Sequence, residues 1–274
     1  MTTLTPEDVR REAASQLTAG AGGSWLVIAG QELRDIWLSA RGPAIVIGTS
    51  LLLSLLTYLA ASNEELNIID QRDTVNLLAQ ITMALAVGVS LLFTADCVSG
   101  ERERETLESL LVTPVPRGQV ALGKYLAAVS MWPVLLIVAI PYIWVLREGE
   151  GVFADAMLGA LVVGTLLVIG FASLGLLVSI FSGSNRLSLA VAFFIFVLLL
   201  APTQLPLGGW FGDLITQTNP MTAGSTFLHR AIVKEHGWGE DLDLLIAPAV
   251  WAIAMTGVAF IAAGRLRLQG SFGR

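Results

Sequence analysis

Six apolar stretches of the chain contain no Asp, Glu, Lys, Arg or His: Pro43–Ala61, Val75–Ala95, Tyr125–Leu146, Ala156–Phe181, Leu187–Ala201 and Leu244–Gly264. A helix needs about 20 predominantly apolar residues to cross the hydrocarbon core of a bilayer. In lipid the backbone must satisfy its own hydrogen bonds, so such stretches fold as helices. The expected fold class is therefore all-α, a polytopic membrane protein with six transmembrane helices. Composition agrees: 14% charged and 54% hydrophobic residues lie far from the roughly 25% charge of a soluble domain, and they exclude a disordered chain too. The fifth stretch is short and ends at Pro202, so it either borrows residues from its flanks or dips into the bundle instead of crossing straight.

Orientation follows from the basic residues, because Lys- and Arg-rich flanks stay cytoplasmic. With the N-terminus inside, Arg10, Arg11, Arg34, Arg41, Arg102, Arg104, Arg117, Lys124, Arg186, Arg265, Arg267 and Arg274 are cytoplasmic, while Arg72, Arg147, Arg230 and Lys234 are outside. That split of 12 to 4 among the 16 basic residues predicts a cell-membrane protein with a cytoplasmic tail at each end, over 1–23 and 265–274. The first twenty-odd residues lack a basic segment followed by an apolar one, so no cleaved signal peptide is expected. Neither half repeats the other, which disfavours inverted-repeat carriers. A net charge of -6 without clustered Lys and Arg gives no reason to expect a nucleic-acid partner.

Before the first span, 24–41 has the period of an amphipathic helix. Trp25, Leu26, Ala29, Leu33, Ile36, Trp37 and Ala40 share one face and Gln31, Arg34, Asp35, Ser39 and Arg41 the other, with Val27, Ile28 and Leu38 interrupting the polar side. Two tryptophans suit a helix lying in the headgroup layer. It is either a plain anchor or an elbow that also touches a partner.

The uncharged spans exclude more than they admit. Proton-coupled carriers keep ionisable relays at membrane depth, and an intramembrane protease needs its catalytic groups within a span; the two histidines, His229 and His236, fall in the last outer loop and are expected to be solvated there. Cys97, the single cysteine, reads as an inert packing or juxtamembrane thiol, and no metal site is expected. Gly118-Gln-Val-Ala-Leu-Gly123-Lys124 has the spacing of a phosphate-binding loop. That mechanism requires a preceding strand and a Ser or Thr after the Lys, whereas Tyr125 and a span follow here. The expectation is a positive flank, with Gly123 allowing close helix packing.

The densest charge lies between the second and third spans, over 96–119. As a helix from Glu101 to Val112, this segment puts Glu101, Glu105 and Glu108 on one face and Leu107, Leu110 and Leu111 on another; Thr113-Pro114 ends it. Periodicity alone leaves a docking helix and a solvated loop equally open. The run Gly100-Glu-Arg-Glu-Arg-Glu-Thr-Leu-Glu-Ser-Leu-Leu-Val-Thr-Pro-Val-Pro-Arg117, followed by Gly123-Lys124-Tyr-Leu-Ala, resembles the cytoplasmic loop of type-2 ATP-binding-cassette (ABC) exporter permeases.

The resemblance implies a coupling helix seated in a groove of an ATPase, with Glu101, Glu105, Thr106, Leu107, Glu108, Leu110 and Leu111 as contacts and Glu32, Arg34 and Asp35 of the elbow as a secondary contact. It also implies two cytoplasmic ABC ATPase subunits, which would hold ATP and Mg while this chain carries no cofactor and no catalytic residue, and a second permease to complete the path within 42–264. The outer segment 203–243 holds Gly208-Gly-Trp-Phe-Gly212, then Asn219-Pro220 and an apolar helical face. It is either a partly ordered loop anchored by Trp210 and Trp238 or, as the resemblance implies, a set of short re-entrant helices whose Trp210, Phe211, Asn219, Pro220 and Met221 help close an outer gate. Two rivals remain, an ATP-independent carrier or channel and a membrane scaffold without transport. The substrate is not legible.

Overall fold

The computed structural model describes residues 24–62, 71–103, 117–146, 149–204, 209–234 and 237–264, and among these residues it has helices and no strand. The helices are α1 (Ser24–Leu38), α2 (Arg41–Ser62), α3 (Gln71–Asp96), α4 (Ser99–Glu103), α5 (Arg117–Val129), α6 (Met131–Leu146), α7 (Gly149–Phe181), α8 (Asn185–Gln204), α9 (Gly209–Thr218), α10 (Pro220–Ile232) and α11 (Ile246–Gly264), with a 3₁₀ turn at Leu242–Leu245. Among the described residues six helical segments are long and apolar enough to cross a membrane: Arg41–Ala60, Gln71–Glu103, Gly118–Leu146, Gly151–Phe181, Asn185–Thr203 and Leu242–Gly264. The chain is a multi-pass membrane protein.

Burial separates a centre from a rim. The most apolar stretch of α7 is 56% buried and that of α3 50%, against 11% in α2 and in α8, and α3 and α7 pack on each other along their length. Small residues set that distance: a Cβ on Gly175 of α7 would stand 2.3 Å from the Leu91 carbonyl oxygen of α3. Around this pair, Phe171 meets Phe196 edge to face with ring centres 6.5 Å apart and lies against Trp251 at 5.8 Å. The Trp132 indole donates to Thr165 Oγ1 at 3.0 Å. The rim helix α2 is tied to α6 by the Tyr142 hydroxyl, 2.7 Å from Ser50 Oγ and 2.9 Å from Ser54 Oγ.

The third span differs from the expected single helix in two ways. It begins eight residues earlier, because the polar turn Arg117–Lys124 is helical, and it is interrupted at Ser130. Pro133 has no N–H to give the Val129 carbonyl, which is where α5 ends. The fifth span takes its missing length from both flanks, from Asn185 and through Pro202 to Gln204; a proline so close to a helix end disturbs only its last turn.

α1 buries Ala29 and Ile36 against α5, with Ile36, Ala127 and Met131 in one apolar cluster. The Trp37 indole donates to Ser130 Oγ at 3.3 Å. Leu26, Val27 and Leu38 remain exposed. The chain turns from α1 into α2 across two residues, where Ser39 Oγ accepts from the Arg41 amide at 3.3 Å and a Cβ on Gly42 would meet the Ile36 carbonyl oxygen at 2.7 Å.

At the opposite end, α10 is capped by Asn219, whose side chain accepts from the Met221 amide at 3.0 Å with Pro220 at the first helical position, the arrangement helix starts favour. Its 13 residues reach only about 20 Å, short of a bilayer core, and most are buried against α3, α7, α8 and α11. His229 is therefore not a loop residue: it sits on α10 with Nδ1 3.3 Å from Asn76 Nδ2, because the capped helix buries its apolar face and carries the imidazole to α3. His236 lies outside the described residues.

Candidate functional site

The site grows from the Gly123-Lys124 pair. Gly123 brings α5 against α1 so closely that a Cβ there would be 2.7 Å from Ile28 Cγ2 and 3.0 Å from the Ala29 backbone nitrogen. The expected close packing at Gly123 is thus observed. It carries the next side chain, Lys124, under α1, where Glu32 pairs with the ammonium. From the other side Glu101 of α4 reaches Nζ at 2.6 Å. Lys124 is 8% exposed, Glu32 29% and Glu101 18%. A buried ammonium is costly unless paired and hydrogen-bonded, and here two carboxylates share one cation.

Lys124 flanks the span, and its ammonium is buried between two carboxylates. The positive-inside pattern counts where a cation falls along the chain, and only the fold reveals that Glu32 and Glu101 converge on it. The whole of 118–124 lies on α5, so no loop joins a strand to a helix here, and the context that a phosphate loop requires is missing. The triad itself helps to line a cleft of about 580 Å³, together with Arg34, Asp35, Ser39, Arg41, Asp96 and Cys97 among others.

Next to the triad, the α3–α4 turn is anchored to the ends of two further spans. Ser179 Oγ of α7 accepts from the amides of Val98 and Ser99 at 3.0 and 2.9 Å, satisfying donors that an α-helix start leaves free. The Arg102 guanidinium donates to the carbonyls of Ser182 and Ile180, at the helix end whose dipole favours a cation. Asn185, opening α8, donates from Nδ2 to Asp96 Oδ1 at 2.6 Å and from its backbone to Glu103 Oε2 at 3.2 Å. Its Oδ1 lies 3.0 Å from Ser99 Oγ. Asn185 and Ser179 are site residues that sequence reasoning missed; the only signal was a polar Ser-Gly-Ser-Asn break between two spans.

Of the candidate ATPase contacts, Glu101 is turned inward onto Lys124. Glu105, Thr106, Leu107, Glu108, Leu110 and Leu111 lie outside the described residues, between α4 and α5, the two elements whose side chains meet at Lys124. In α1, Glu32 belongs to the triad, while Arg34 and Asp35 are exposed on the cleft.

The candidate gate residues do not all come together. Asn219, Pro220 and Met221 are buried at the start of α10, and Asn219 Nδ2 donates to the Leu199 carbonyl of α8 at 2.9 Å. Trp210 is exposed on α9, and the Phe211 side chain lies outside the described residues. Met221 also lines a second cleft of about 460 Å³ between α3, α8 and α10, walled by Ile81, Leu85, Gly88 and Phe196 with Gln80, Thr203 and Ser225 as its polar members. Gln80 Nε2 is held by Asn76 Oδ1 at 3.1 Å.

Residues 26–264 match the family described as ABC-2 family transporter protein. No curated protein matches the chain.

Proposed function

Because the chain belongs to the ABC-2 transporter family and is a membrane permease of an ABC transporter, we propose that it forms half of an ATP-driven export path moved by ATPase subunits on separate chains. The observation that carries this reading is the anchoring of both roots of 104–116: α4 is bonded to α7 and α8 through Ser179, Arg102 and Asn185, and α5 to α1 and α4 through Lys124. A partner seated on the segment between them would pull on four spans at once.

In this reading Thr106, Leu107, Glu108, Leu110 and Leu111, with Glu105, dock on the ATPase, and Arg34 and Asp35 add a secondary contact. Two ATPase subunits bind ATP and Mg; their closure drives the docked segments together, and the permease pair passes from inward- to outward-open. A second permease, identical or related, would wall the open side of the apolar cleft between α3 and α8, while α9 and α10 close its outer end as a re-entrant pair. Both termini are cytoplasmic. The uncharged spans favour this reading over an ion-driven carrier.

The test is purification of the tagged chain from its native membrane, followed by reconstitution. ATPase subunits should co-purify, and vanadate-sensitive ATP hydrolysis in proteoliposomes should depend on this chain. Export that survives ATP depletion and stops on collapse of the proton gradient overturns it.

A further inference from the structure

We propose that Lys124 is a positioning residue that makes α1, α4 and α5 one mechanical body, so that movement of the 104–116 segment is delivered to α1. This rests on the proposed function. It begins from the Gly123-Lys124 pair, a positive flank in the sequence whose ammonium the fold places between two carboxylates.

The argument is geometric. Both roots of the segment end on one ammonium, Glu101 from the α4 side and Lys124 itself from the α5 side, and Glu32 adds α1. The apolar contact of α1 with α5 and the start of α6 through Ile36, Ala127 and Met131 is non-directional and permits sliding, whereas two carboxylates paired with one largely buried ammonium fix a register. Gly123 sets the distance at which that register forms. Removing the cation leaves two carboxylates facing each other, so α1 should separate from the loop roots while the apolar contacts keep the chain folded. Glu101 accordingly belongs to the permease's internal linkage and not to the acidic surface offered to a partner.

Hydrogen exchange on the full chain tests this in two arms. In the chain alone, Lys124→Met should raise amide exchange in Ser24–Leu38 and Ser99–Glu103 about tenfold, with α7 unchanged and Lys124→Arg restoring protection. In the vanadate-trapped complex with its ATPase, α1 of the wild type and of Lys124→Arg should change protection on trapping. In Lys124→Met that response should vanish although nucleotide is still trapped. Glu32→Gln, which removes one arm of the linkage, should abolish the α1 response and keep the response of Ser99–Glu103.

An α1 response that persists in both Lys124→Met and Glu32→Gln overturns the proposal. So does loss of all protection in Glu32→Gln, which would make the triad a folding element only. If no ATPase binds the wild-type chain, the proposed function fails instead, and the linkage is still judged by the first arm.

Discussion

Gly175 has no room for a side chain, since the Leu91 carbonyl and Thr94 Oγ1 already occupy the space a Cβ would take. Gly257, on α11, meets nothing within 4 Å. Gly175→Ala should therefore lower the thermal stability of the purified chain by about 1–3 kcal/mol through overpacking of backbone on backbone. Gly257→Ala should leave stability unchanged or raise it by up to about 1 kcal/mol through helix propensity. Equal melting temperatures for the two variants would refute the packing argument. Both glycines look alike in sequence, and so did Lys124 and Arg117. Periodicity assigns a residue to a face of its own helix, but the partner on that face, Leu91 for Gly175 or Glu32 for Lys124, comes from a distant part of the chain.

α10 and the segment after α4 show what is legible at the scale of an element. Asn219-Pro220 marks a helix start by chemistry that a reader of sequence can recognise, and the structure uses it. Asn219→Ala should cost about 1 kcal/mol from the lost cap, and the Leu199 carbonyl loses a partner as well. A drop in thermal stability of the purified chain is the readout, and an unchanged value would mean the cap is dispensable.

The six spans were legible because apolar length alone defines them. The early start of α5 was not, since its first turns are polar and hydropathy passes over them. The burial of α10 depended on a groove that α3, α7 and α8 create together. For the segment carrying Leu110 and Leu111, truncating both to Ala should remove about 2–5 kcal/mol of complex stability with the ATPase. Insertion should be normal, because the change lies outside every span. Wild-type co-purification of the ATPase by this double variant would show that the segment docks nothing.

For the whole molecule, the 12 to 4 division of basic residues makes a claim about sidedness that two exposed positions at opposite ends can check. Ser184 adjoins the Asn185 end of α8, near the Lys124 triad, and Gly239 adjoins the Trp238 turn, whose indole donates to Asp155 Oδ1 at 3.1 Å. With Cys97 replaced by Ser, Ser184→Cys should react with an impermeant thiol reagent only from the cytoplasmic side and Gly239→Cys only from outside. Labelling of Ser184→Cys from outside would invert the topology and remove the ATPase from the end where the triad lies.

The bond between the α2 and α6 hydroxyls carries a consequence for how the chain is made. Ser50 and Tyr142 are 92 residues apart, an interval of roughly 5–20 s at ribosomal speed. During that time α2 has left the ribosome and its polar partner Tyr142 on α6 does not yet exist. Ser50 and Ser54 must meanwhile turn back to carbonyls of their own helix, and the broad apolar surface of α2, so little of it covered even in the finished protein, is sheltered by acyl chains. The order of synthesis thus leaves the membrane to hold α2 until α6 arrives.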